Sequence, residues 1–374
     1  MYPILGITGP RQSGKTTMLR EQFPEYKYAT LELPADRRLA ETDPEGFFTK
    51  YSGKVIIDEI QRVPMLFSHL QVIVDENQQM GQYIISGSQS FSLLKSIKQS
   101  LAGRIALFEL MPLDLDEIQR AKLNSSSYAD IASRGSYPAL YHRNIPSRAF
   151  YRNYLRTYVE RDVPEILDVK DIDQFRNFIQ LCAARTGSLM NWQGLSSDAN
   201  ITFQTTKNWI SILESSYITF KLRPYYNSFT KRIMKSPKLY FYDTGLLCHL
   251  LGIKNAYELL DSKYKGHIFE NFVISEMVKS TLHNNERPEY FYWRDSNGKE
   301  VDLLCKEGEI FKLYEIKASM TVQPSQFKGL HYLGQVIANN TDDSVEKHLV
   351  YGGNENYSFL DVAIHSWDRI PELV

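Results

Sequence analysis

Cysteine is scarce in this sequence: Cys182, Cys248 and Cys305 are the only three among 374 residues, scattered and odd in number. That argues against a disulfide framework. No pair of them stands at metal-ligand spacing, and the eight histidines are equally dispersed, which argues against a structural zinc site. Long apolar runs are missing as well; none approaches the ~20 residues that a membrane span needs. Charge of one sign is missing too: the formal net charge is −1, so no global field draws the chain to nucleic acid or membrane, and any such attraction has to be local. A strand-like segment rather than a charged and apolar leader opens the chain, and the expected location is cytoplasmic and reducing. Apolar and aromatic residues are plentiful, at 43% and 13%, enough to bury sizeable cores. The length predicts roughly two to three domains.

The first chemistry appears at once. An apolar run, Ile4 to Thr8, leads into Gly9-Pro10-Arg11-Gln12-Ser13-Gly14-Lys15-Thr16, and a helix-like stretch follows from Thr17. This is GxxxxGK[ST] in a strand–loop–helix setting, which cradles the phosphates of ATP. Glycines let backbone N–H groups turn inward on an anion, and the helix N-terminus adds positive potential. Gly9 to Thr17 are therefore the expected nucleotide-binding residues. Lys15 is expected on the β/γ-phosphates and the Thr16 hydroxyl on Mg²⁺. A second apolar strand, Val55 to Asp58, ends in the acids Asp58 and Glu59. Strand ends of this kind deliver carboxylates to the sheet edge where ligands bind. Asp58 would hold Mg²⁺ through water and Glu59 would polarise the attacking water. The tandem acids favour water over a small-molecule acceptor, so ATP hydrolysis is preferred to a kinase-like phosphotransfer. Tyr28 to Leu33, Gln82 to Ser86 and Arg104 to Leu110 supply further strands, giving a parallel five-stranded sheet over residues 1–112.

GPRQSGKTT, VIIDEIQRVP, YIISGSQS and LAGRIALFELMPL, in this order and spacing, resemble a prokaryotic AAA+-like P-loop ATPase family with a C-terminal domain of unassigned function. RGSYPAL (134–140), YVERDVPEI (158–166), KSPKLYFYDTGLL (235–247), GHIFENFVISE, YFYWRD, KEVDLL and YEIKAS extend the likeness over nearly the whole chain. The resemblance implies that Ser86 or Ser88 senses the γ-phosphate. It also implies that Arg104 is a finger completing a neighbour's site in a homo-oligomer, although a lone arginine before a strand is usually a surface charge. It further implies a helical lid over 113–168, with helices over Leu113 to Ser133 and Pro146 to Val163.

Residues 169–260 read as a winged helix: helices at Ile172 to Ala184, Gln193 to Asp198 and Phe203 to Ser215, then strands at Tyr217 to Arg223 and Lys238 to Tyr242. Trp209, Ile210 and Leu213 are expected inward, with Gln204, Thr205, Lys207 and Asn208 outward. No acid occurs between Glu214 and Asp243, whereas Lys221, Arg223, Lys231, Arg232, Lys235 and Lys238 do. A basic wing beside a polar helix tip suits the phosphates of double-stranded DNA, with Lys207, Lys231, Arg232 and Lys235 as contacts. Protein contacts are the competing reading.

From 261 to 374 the expected order is helix, strand, strand, strand, helix, strand. Glu270 falls inside the apolar arc of its helix, where an acid needs a partner, a metal or a raised pKa. Period-two strands place Glu300 and Asp302 on one face, and Glu315 with Lys317 on another. Asp302, twelve intervening residues and Glu315-x-Lys317, together with Glu270, resemble the PD-(D/E)xK core of a restriction-endonuclease-like α/β domain. The resemblance implies carboxylates that hold Mg²⁺ and a lysine that orients a nucleophile. Two readings remain open: a magnesium-dependent nuclease, or an inactive relative whose acids and lysine form a salt-bridge cluster.

Overall fold

The computed structural model describes residues 2–77, 79–88, 100–123, 125–157, 172–225 and 236–374. They group into two units. One comprises Met1–Pro112 with Ser215–Tyr217 and Leu282–Asn285; the other comprises Leu113–Glu214, Ile218–Thr281 and Glu286–Val374.

The first unit is built on five parallel strands: β1 (Ile4–Thr8), β2 (Lys27–Thr30), β3 (Val55–Asp58), β4 (Tyr83–Ser86) and β5 (Ile105–Glu109), in the order β2-β3-β4-β1-β5. β3 and β4 are buried along their whole length, as strands covered by helices on both faces must be. Ile57 and Ile85 pack with Phe47, Phe67 and Leu70 in one core; Ile7, Ile56 and Ile84 pack with Leu19 in another. β1 lies between β4 and β5, so the loop after β1 leaves the sheet where the strand order reverses, the usual ligand crevice of open α/β sheets. β2 ends at Thr30, earlier than the expected Leu33. The Leu33 amide donates to the Thr30 carbonyl at 3.2 Å, and this turn leads into a helix at Pro34.

The second unit carries an eight-stranded mixed sheet. Its strands are β6 (Thr219–Pro224), β7 (Lys238–Phe241), β8 (Phe291–Arg294), β9 (Glu300–Glu307), β10 (Ile310–Lys317), β11 (Ser344–Tyr351), β12 (Tyr357–Phe359) and β13 (Val362–Ser366). The order is β12-β13-β11-β10-β9-β8-β6-β7. Helices Ile172–Ala183, Trp192–Asp198 and Phe203–Ser215 precede the antiparallel β6–β7 ribbon. That ribbon is not isolated: β6 also pairs in parallel with β8, so one sheet runs across residue 260, where the sequence suggests a boundary. Lys231, Arg232 and Lys235 lie outside the described residues, as does the expected lid helix beyond Thr157.

The helix expected over Leu113 to Ser133 is instead two, Leu115–Arg120 and Tyr128–Arg134. Asp114 and Glu117 form a capping box on the first, and the Ser127 hydroxyl caps the second. A buried ion pair explains why this stretch joins the second unit. Glu276 and Lys279 pair at 2.8 Å on the helix Lys265–His283; Glu276 accepts from the Leu115 amide at 2.7 Å and Lys279 donates to the Leu113 carbonyl at 2.7 Å. On the same helix Asn271 plays the part of a missing strand at the sheet edge. Its amide donates to the Phe241 carbonyl at 2.7 Å, and its oxygen accepts from the Phe241 amide at 2.8 Å.

Asp243, just past β7, accepts from the Leu246 amide at 2.7 Å as a helix cap, and from the Ser136 amide and hydroxyl at 2.7 and 2.9 Å. Asp243→Ala removes the cap and leaves the buried Ser136 amide without an acceptor. We expect the second unit to lose about 3 kcal/mol, read from urea unfolding. A loss under about 1 kcal/mol would mean that the capping and the buried bonds add little.

Candidate functional site

The loop after β1 is shaped by backbone that side chains resist. Gly9 has φ +144°, and a Cβ there would sit 2.1 Å from the Leu110 carbonyl oxygen. Gly14, at φ +98°, is the residue from which the helix Lys15–Gln22 starts. Lys15 is 6% exposed and donates to the carbonyls of Gly9 at 2.9 Å and Pro10 at 2.7 Å. Burial lowers its pKa to about 8, against the opposing pull of Glu59 and Asp58, and Arg11 lowers it further. The Ser13 hydroxyl is buried in the same loop without a hydrogen-bond partner.

Asp58 stands beside this loop because β3, β4 and β1 share an edge: Asp58 is in register with Ser86, and Ser86 with Ile7. Its carboxylate, 5% exposed, accepts from Thr16 at 2.9 Å, Tyr28 at 2.7 Å and Ser86 at 2.5 Å. Glu59 turns into the left-handed region at φ 57°, a strained geometry frequent at functional sites. Its carboxylate accepts from Gln61 and, at 3.2 Å, from Ser88. Thus Lys15, Thr16, Asp58, Glu59, Ser86 and Ser88 come together at one edge. Hard oxygen donors from Thr16 and Asp58 beside a buried ammonium and an orphaned loop hydroxyl fit a magnesium–triphosphate. Tyr28 and Gln61 are members that the sequence reading missed. Their reach depends on β2 pairing with β3 and on the turn after Glu59, and neither carries a motif.

Arg104 is elsewhere. It precedes β5 at the opposite end of the sheet, and its guanidinium grips Asp75 through two bonds of 2.6 and 2.8 Å.

The second unit gathers the acids read as nuclease-like. Asp302 accepts from the Ile316 amide at 2.9 Å and from Lys317 at 3.3 Å, and Lys317 pairs with Glu315 at 2.5 Å. Glu270 accepts from Tyr240 at 2.5 Å and from Lys238 at 3.0 Å. Lys238 is a correction to the sequence reading. Expected on a solvent-facing wing, it is 3% exposed and turned inward, bridging Glu270 and, at 2.6 Å, Glu300. Three carboxylates and a phenol at its place in the fold outweigh the loss of solvation. Burial pulls the Lys238 pKa down, but Tyr240, Glu270, Asp302 and Glu300 together raise it well above the ordinary value. Arg294 adds a third cation, on Glu300 at 3.1 Å. Every one of these carboxylates therefore already has an ammonium partner. The set as arranged does not fit a divalent cation, which would have to displace Lys238 or Lys317.

Of the expected DNA contacts, Lys207 is exposed on the helix Phe203–Ser215 beside exposed Gln204 and Asn208, its ammonium 4.5 Å over the Phe203 ring. Thr205 is half-buried; Trp209, Ile210 and Leu213 are buried. Among the described residues no helix is long and apolar enough to cross a membrane.

Residues 1–119 match the family model of an AAA domain; 125–257 and 265–369 match two domains of unknown function, DUF8612 and DUF4143. The uncharacterized proteins Rv2008c of Mycobacterium tuberculosis and Mb2031c of Mycobacterium bovis are each 32% identical over 326 residues, 85% of this chain and 71% of theirs. The uncharacterized protein MJ1544 of Methanocaldococcus jannaschii is 27% identical over 302 residues, 72% of this chain and 65% of its own. Among solved structures, the Walker-type ATPase PABY2304 of Pyrococcus abyssi is 14% identical, with 67% of this chain and 91% of that one covered at a TM-score of 0.43.

Burial, then the charge of Asp302, raises Glu315 from an ordinary 4.5 to about 8 against the pull of Lys317. Between those values the folded chain holds a proton that the unfolded chain has lost, so this contribution to stability is present below 4.5 and disappears as pH rises through about 8. Glu315→Gln fixes the neutral form. Across that window wild type should lose on the order of a few kcal/mol relative to the variant in urea unfolding. Parallel pH profiles for the two proteins would contradict the shift.

Proposed function

Since the chain belongs to the family of the mycobacterial proteins Rv2008c and Mb2031c and is an AAA-like P-loop ATPase, we propose that it binds Mg·ATP through Gly9 to Thr17, hydrolyses it with Glu59 as the water-polarising base, and handles double-stranded DNA through its second unit. The observation that carries the nucleotide part is the hydrogen bond of Thr16 to Asp58 beside the buried Lys15 ammonium.

In this reading Lys15 leaves the Gly9 and Pro10 carbonyls for the β/γ-phosphates. Thr16 and Asp58 hold a magnesium ion, which supplies charge neutralisation at the phosphates. Glu59, freed from Gln61 and Ser88, orients water, and Ser86 or Ser88 senses the γ-phosphate. Arg104 can act only in a neighbouring copy, because it lies at the far end of its own sheet, and only after releasing Asp75. Support for DNA is the helix-helix-helix-ribbon order and the exposed Lys207, Gln204 and Asn208 tip.

A second reading concerns the acidic cluster. Lys238 and Lys317 already serve the carboxylates Glu270, Glu300, Asp302 and Glu315. That favours an inactive nuclease-like domain in an ATP-dependent switch over a magnesium-dependent nuclease, and no cleavage step is assigned to it.

Glu59→Gln should lower ATP turnover at least about a hundredfold while ATP stays bound on filters; unchanged phosphate release would remove Glu59 from the reaction. Supercoiled plasmid incubated with Mg²⁺ or Mn²⁺, with and without ATP, should stay intact with wild type. Nicking that disappears in Lys317→Ala would restore the nuclease reading.

A further inference from the structure

Between Asp130 and Glu160 the sequence holds Arg134, Arg143, Arg148, Arg152 and Arg156 and not one acid. In a chain of net charge −1 this is a local excess of positive charge. Arg148, Arg152 and Arg156 fall four residues apart on the helix Ser147–Thr157, so they share one face, each about 6 Å further along the axis. The opposite face buries Phe150, Tyr151 and Tyr154, and all three arginines are exposed. Helix Ile172–Ala183 contributes Arg176 and Gln180, and helix Thr244–Leu250 contributes His249. Arg152, Arg156, Arg176, Gln180 and His249 line a cavity of about 380 Å³. Arg148 and Arg152 have no hydrogen-bond or ion-pair partner among the described residues. Asp173 holds Arg176 at 3.0 Å. Burial, then the charges of Arg148 and Arg152, keep the His249 imidazole below its ordinary pKa, which locates both guanidiniums close to it.

Like charges at this spacing repel and weaken a helix, so their repetition along one face is not explained by the helix itself. A solvated helix face would ordinarily mix signs. A single small anion would engage one end of the row and leave the rest. A polyanion with charges repeating along a line uses all of it, and guanidinium pairs with phosphate oxygens through two parallel bonds. We propose that the Arg148–Arg152–Arg156 face, flanked by Arg176, binds the phosphodiester backbone of a nucleic acid strand. The inference rests on the nucleic-acid reading above but assigns a different surface from the Lys207 helix.

Fluorescence anisotropy of a labelled DNA duplex, titrated with the full-length protein over a salt series, tests it. Arg148→Gln/Arg152→Gln should bind at least about tenfold more weakly at low salt, with a log–log salt slope shallower by about two. Its ATP turnover without DNA should match wild type. Arg148→Lys/Arg152→Lys, which keeps the charge, should recover most of the slope; a lysine variant as defective as the glutamine one would overturn the electrostatic claim. If the glutamine variant binds like wild type while Lys207→Gln is impaired, the arginine face is wrong and the DNA reading stands. If wild type binds no duplex, and neither single-stranded DNA nor duplex RNA, both fall. Unlabelled single-stranded DNA and duplex RNA as competitors identify which backbone fits, and competition by polyglutamate alone would overturn the proposal in favour of an acidic protein partner.

Discussion

A buried ammonium needs a counter-charge, and Lys15 has only borrowed ones. Its hydrogen bonds go to two carbonyls of its own loop, which offer dipoles rather than a full negative charge. Of the two carboxylates that pull on it, Glu59 accepts from Gln61 and Ser88, and Asp58 is already shared among the hydroxyls of Thr16, Tyr28 and Ser86. Burial therefore wins and the lysine pKa falls to about 8. Such an arrangement is costly in isolation and is relieved by an anion that brings its own charge and accepts the loop amides at once. The order of the sheet makes the arrangement possible, because it sets the ends of β1, β4 and β3 side by side.

The second unit meets the same constraint and resolves it internally. Lys238 and Lys279 are as buried as Lys15, but each faces carboxylates: Lys238 faces Glu270 and Glu300, and Lys279 faces Glu276. Each carboxylate there has a cation of the fold as partner, although the buried Glu315 Oε2 accepts no hydrogen bond among the described residues. Two clusters that look alike in sequence, each a lysine near acids at strand ends, thus differ in what they ask for. The first lacks negative charge. The second already has both signs.

Much of this was legible in the sequence where a local rule forces the residue. GPRQSGKT dictates a loop because a Cβ at Gly9 would collide with Leu110, and VIIDE marks a buried strand with acids at its end. Ser86, with Ser88 as the alternative, followed from the polar tip of its strand and from the family resemblance. What escaped depended on long-range pairing. Tyr28 reaches Asp58 only because β2 lies against β3. Arg104 finds Asp75, 29 residues earlier, through no visible pattern. Lys238 read as one more base in a run free of acids, but β7 lies beneath the helix Lys265–His283, anchored to it by Asn271, and Glu270 on that helix turns the lysine inward. The split of the helix over 113–133 was signalled by Ser125-Ser126-Ser127, a capping run overshadowed by the apolar spacing around it.

The buried pair Glu276–Lys279 also decides to which body the residues after Pro112 belong energetically. Leu113 and Leu115 each spend a backbone group on it, so pulling that stretch away would strand a buried carboxylate and a buried ammonium together. Each buried charge would then lose a hydrogen bond worth about 1.5–3 kcal/mol, together a large part of the 5–15 kcal/mol that hold a typical domain together. Nucleotide exchange has too little differential binding energy to spend on that and still drive a cycle; coupling energies are about 1–3 kcal/mol. The stretch that the family resemblance assigns to a lid is therefore expected to respond to nucleotide as part of the second unit, without detaching from it.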